Sequence, residues 1–116
     1  MADDEDDQDL LRSSVELIQK LRRDLPEPIN AFLNFTQKAK GGQGALDEKV
    51  KNLILVALAV NQQCEDCMVM HLHNAVDSGA TRQEILEACL LAMVAAGGSK
   101  LVQMKTIYAE LEFLQR

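Results

Sequence analysis

Apolar residues along this chain recur every three or four positions and nowhere alternate, which is the period of helices and not of strands. Leu10, Leu11, Val15, Ile18, Leu21 and Leu25 form one such stripe with charges between them, predicting a helix over residues 9–25. Pro26 and Pro28 end it, because proline lacks the amide hydrogen a helix interior needs. A shorter helix follows over residues 27–40, with Ile29, Phe32 and Leu33 on one side, and Gly41, Gly42 and Gly44 mark the loop beyond. A third helix spans residues 47–61, and its stretch from Leu53 to Val60 has no polar face. The fourth covers residues 62–77, with Gly79 placed for the positive φ that closes a helix. Thr81-Arg82-Gln83-Glu84 has the form of a capping box and opens a fifth helix running to Gly97-Gly98. A sixth, over residues 100–114, puts Leu101, Met104, Ile107, Tyr108, Leu111 and Leu114 on one stripe. The expected fold is all-α, a bundle of about six helices.

Length and composition refine this picture. At 116 residues the chain is one domain. Only 3% of residues are aromatic, so the core is aliphatic, as suits packed helices. The third and fifth helices are apolar all round, and so small a domain has too little interior to enclose both. Their excess apolar surface predicts a homo-oligomer. The net charge of −6 is a local matter. Asp3, Asp4, Glu5, Asp6, Asp7 and Asp9 supply six of the eighteen acids, and the other twelve balance the twelve Lys and Arg. Residues 1–9 are therefore expected to be a disordered acidic tail, and residues 10–116 the helical domain. No basic patch supports nucleic-acid binding. No charged-then-apolar leader opens the chain, and its apolar runs fall short of the ~20 residues a bilayer needs. No membrane association and a cytoplasmic location are expected.

The chemistry concentrates in Cys64-Glu65-Asp66-Cys67-Met68-Val69-Met70-His71. In a reducing compartment a CxxC is more often catalytic or metal-binding than structural. On a helix, Cys67 and His71 are neighbours one turn apart, and Cys64 lies one turn the other way. Cysteines three apart have Cα atoms ~5–5.5 Å from each other, within the range a disulfide accepts. His71 is placed to take a proton from Cys67, the thiolate being the reactive form. Cys67 is then the attacking thiol and Cys64 the resolving one. Glu65 and Asp66 oppose thiolate formation if they stand beside the sulfurs. A metal site would need a fourth ligand beyond Cys64, Cys67 and His71, and a buried structural cluster is a further reading. His73 points ~200° around the helix from the thiols and reads as a surface or interface histidine. Cys89, in an apolar run, reads as an inert core residue. No cofactor or metal is expected.

Leu46-Asp47-Glu48-Lys49, the Leu53–Val60 run, the CxxC-x3-His and Gly79-Ala80-Thr81-Arg82-Gln83-Glu84-Ile85 follow one another in order over residues 45–98. Together they resemble the carboxymuconolactone decarboxylase superfamily, and the CxxC-x3-His resembles its AhpD-like branch. The resemblance implies an all-helical fold assembling as trimers or hexamers. It also implies alkylhydroperoxidase or related thiol-disulfide activity on a peroxide or disulfide, reset by an external dithiol reductant. In that branch the cysteine nearer the histidine forms the sulfenic acid and the earlier one resolves it, which places these roles on Cys67 and Cys64, with His71 in a proton relay. The relay glutamate of the family falls on Asn52, which cannot shuttle a proton as a carboxylate does. Glu48, one turn earlier, and Glu65 are the substitutes at hand. The alternatives are a non-catalytic oligomeric redox sensor or binding module using the same bridge, and a lyase of the decarboxylase type, whose branch lacks the CxxC.

Overall fold

The computed structural model describes residues 2–114, with side chains from residue 9 onward except residue 10. Six α-helices follow in order: α1 (Ala2–Asp24), α2 (Pro26–Lys40), α3 (Glu48–Gln62), α4 (Glu65–Asp77), α5 (Arg82–Ala96) and α6 (Met104–Leu114), with a 3-10 helix at Gly98–Gln103 before α6. No strand occurs among the described residues. The all-α expectation is met.

Most boundaries have local causes. Pro26 sits at the start of α2, where a missing amide hydrogen costs nothing. Asp47 caps α3 by accepting the Val50 amide at 2.8 Å. Thr81 and Glu84 form the expected reciprocal capping box on α5. Gly79 and Gly97 close α4 and α5 with φ of 96° and 86°. Three starts differ from the pattern-based reading. The α1 backbone is helical from Ala2 instead of residue 9. The tail assigned to residues 1–9 includes Met1 and the side chains of 2–8, which lie outside the described residues. The last helix begins at Met104, because the chain leaving Gly97 first takes the tighter 3-10 winding. The third shift, at α4, concerns the thiols.

Helix α3 packs against both α4 and α5, and α4 against α6. Their shared interior is Val56, Val60, Met68, Leu72, Ile85, Cys89, Ile107 and Leu111, all buried. Each large aliphatic here contributes ~1.5–3 kcal/mol by leaving water. α1 and α2 lie together at the side, tied by Arg22 Nε donating to Asn30 Oδ1 at 3.0 Å. α2 contributes no fully buried residue. Much of the apolar surface of α3 and α5 stays outside: Ile54 and Leu58 on one, Leu90, Leu91 and Val94 on the other, Val94 being 82% exposed. Among the described residues no helix is long and apolar enough to cross a membrane.

Candidate active site

The thiols lie at the corner between α3 and α4. That corner is only two residues long. Gln63 takes a left-handed φ of 55°, and its amide reaches back to Val60 O at 3.2 Å. The Cys64 amide then reaches Ala59 O at 3.3 Å. This is the double-bonded helix ending usually built on glycine. Cys64 thus finishes α3, and it also begins α4. Its backbone is extended (φ −96°, ψ 102°), and its sulfur accepts the Cys67 amide at 3.2 Å as an N-cap. The expected helical position for Cys64, in a helix opening at residue 62, is therefore corrected: a left-handed residue 63 cannot continue a helix.

The two sulfurs remain close. Cys64 and Cys67 are joined by a disulfide, with Cα atoms 5.2 Å apart. Both residues are half-buried at the N-terminal end of α4. The positive end of the helix dipole and the Cys67 amide both favour negative charge on Cys64 when the bridge opens. Glu65 and Asp66 are solvent-exposed in the first turn, where water weakens their opposition.

His71 follows Cys67 by one turn of α4. It is half-buried, and its Nδ1 is buried with no hydrogen-bond partner. Burial first, and then the Lys40 ammonium, hold its pKa below the ordinary 6.5. Lys40 comes from the last turn of α2, a neighbour that nothing in the linear sequence announces. The imidazole is consequently neutral at neutral pH and free to accept a proton.

Asn52 is 2% exposed, and its Nδ2 donates to Asn74 O at 3.2 Å and Ser78 Oγ at 3.1 Å, at the far end of α4. Glu48 and Glu65 are exposed. Among the described residues no hydrogen bond joins His71 to any of them. Cys89 is buried, which pushes its thiol up to about 11, as suits an inert core residue.

His73, read from the sequence as a surface or interface residue, is partly buried. Its Nε2 lies 2.7 Å from Oε2 of Glu110, a carboxyl on α6 with no exposure at all. The pair joins α4 to α6, while the His73 side chain keeps 22% of its surface exposed.

Comparisons with known proteins agree with the all-helical fold. Residues 26–110 match the model of the carboxymuconolactone decarboxylase family. An uncharacterized protein of Cupriavidus necator is 37% identical over 73 residues, which are 63% of this chain and 64% of that one. The match thus spans less than two thirds of that relative's length. A carboxymuconolactone decarboxylase family protein of Legionella pneumophila superposes with a TM-score of 0.88 at 32% identity, covering 96% of this chain and 98% of its own. A family protein of Thermotoga maritima, whose description raises an antioxidative response, superposes at 0.82 with 28% identity, covering 92% and 90%.

Proposed function

The chain belongs to the carboxymuconolactone decarboxylase family, and from that premise we propose that it is a cytoplasmic thiol peroxidase or disulfide reductase of the AhpD-like kind, working through Cys67, Cys64 and His71. The observation that carries this reading is the Cys64–Cys67 disulfide at a helix N-terminus, with a neutral, unpartnered imidazole one turn away.

In the reduced enzyme His71 takes the Cys67 thiol proton. The Cys67 thiolate attacks the outer peroxide oxygen; the O–O bond breaks, the sulfur becomes a sulfenic acid, and the alkoxide leaves as the alcohol with the proton from His71. The Cys64 thiol then attacks that sulfur, releasing water and forming the bridge. An external dithiol returns two electrons and two protons by thiol–disulfide exchange and becomes a disulfide itself. With a disulfide substrate, Cys67 attacks a sulfur and Cys64 resolves the mixed disulfide. The exposed Ile54, Leu58, Leu90, Leu91 and Val94 support a homo-oligomer, a trimer or hexamer, in which other copies cover that surface.

The test is peroxide consumption with a dithiol reductant, with mass spectrometry of the oxidised protein. Wild type should lose two hydrogens between Cys64 and Cys67, and Cys67→Ser should lose all turnover. Asn52→Glu should raise the rate by restoring a carboxylate. A reduced pair that survives excess peroxide sinks the proposal. The missing carboxylate partner of His71 favours a second reading, a redox sensor oxidised once per chain without turnover; stoichiometric oxidation that stops after one equivalent would select it.

A further inference from the structure

A third sulfur stands beside the bridge. Met70 follows Cys67 by three residues on α4 and directly precedes His71. Residues three apart on a helix are neighbours on adjoining turns, so the Met70 side chain borders the position of Cys67. Met70 is 37% exposed. The other methionines with described side chains are better covered: Met68 is 1% exposed and belongs to the core, and Met93 and Met104 are partly buried, Met104 against that core. A thioether has no proton to lose, and its soft, polarizable sulfur reacts with peroxide in the form it always has.

Its turn comes second. While the pair is reduced, the Cys67 thiolate is the stronger nucleophile and takes peroxide first. Once Cys64 and Cys67 are joined, neither offers a thiolate, and a peroxide reaching the site meets the exposed Met70 sulfur instead. Cys89 does not compete, being buried in the core. We propose that Met70 is a modification site, oxidised to the sulfoxide when peroxide outruns the reductant and the pair stays bridged; this order of events rests on the thiol cycle proposed above. The thioether sulfur attacks the outer peroxide oxygen, and the O–O bond breaks as the S–O bond forms. The proton of that oxygen passes through water to the departing alkoxide, leaving a sulfoxide and an alcohol. Sulfur loses two electrons and the peroxide gains them. Thiol–disulfide exchange resets only the bridge, so the chain keeps a polar mark beside His71 until a methionine sulfoxide reductase removes it.

The test starts from protein bridged with diamide, which joins thiols without transferring oxygen. Treated with tert-butyl hydroperoxide and mapped by peptide mass spectrometry, it should gain one oxygen on Met70 about tenfold faster than on Met68, Met93 or Met104. Reduced protein given less than one equivalent of peroxide should bridge its thiols and leave Met70 untouched. The double variant Cys64→Ser, Cys67→Ser should gain the oxygen on Met70 at that same dose. Equal oxidation of Met70 and Met104 in the bridged protein overturns the proposal, as does a Met70 that is modified before the thiols. If the thiols stay reduced under excess peroxide while Met70 takes oxygen, the thiol cycle fails and the assignment of Met70 as the reactive methionine stands. If the thiols bridge and Met70 gains no oxygen ahead of the other methionines, the Met70 assignment alone fails.

Discussion

His71 and His73 stand two residues apart on one helix, and their surroundings are opposite. His73 lies against a wholly buried Glu110 at 2.7 Å, inside the contact of α4 with α6. His71, one turn after Cys67, feels the Lys40 ammonium and has a buried ring nitrogen that no group satisfies. One imidazole has its hydrogen-bonding capacity spent on joining helices. The other retains capacity that a reaction can use. The same helix therefore separates architecture from chemistry by a rotation of ~200°.

Removing the carboxylate from the architectural side should have the largest effect. Glu110→Ala leaves a cavity and strands His73, and should lower stability by about 3 kcal/mol, or roughly 10 °C in thermal midpoint. Peroxide reactivity per folded molecule should hardly change. His71→Ala should do the reverse. The rate of Cys67 oxidation, measured by stopped flow, should fall by about 100-fold while stability moves by less than about 1 kcal/mol. If both substitutions act mainly on stability, the division between the two faces fails.

Acid provides a finer test. The His71 pKa is depressed in the folded state, so the unfolded chain binds the extra proton more readily. Its contribution to stability is complete above the ordinary value of 6.5 and is lost as pH falls from there through the folded value. Denaturant titrations of wild type and His71→Ala should therefore converge as pH falls below 6.5. The acid limb of the rate should likewise lie below that value, since only the neutral ring accepts a proton. The smallest effect belongs to the corner that aims the thiols. Gln63→Gly relieves a left-handed φ of 55° and should stabilise the protein by ~0.5–1 kcal/mol, with the thiol rate unchanged.

Much of the frame could be read from the chain because its signals are local. The proline stop, the Thr81–Glu84 capping box, Gly79 and the three-to-four periodicity each act within a turn or two of their own position. The thiol spacing was legible for the same reason, and the Cα separation of 5.2 Å falls where the motif placed it. The exit of Cys64 from the helix was hidden, because a glutamine carries no mark of left-handed backbone. The His73–Glu110 pair joins residues 37 apart in sequence, and Lys40 reaches His71 from another helix. Both depend on how helices pack, which periodicity alone does not specify. The substitution at Asn52 was visible, but its attachment to the far end of α4 was not.

Cys64 holds α4 through its sulfur, and the hydrogen bond it accepts needs only an electron pair on that atom. Thiol, thiolate and disulfide all possess one. The start of the helix is therefore indifferent to the oxidation state of the pair, and a catalytic cycle can run without any helix melting or forming. Far-ultraviolet circular dichroism should be blind to the whole cycle, whatever the thiols are doing.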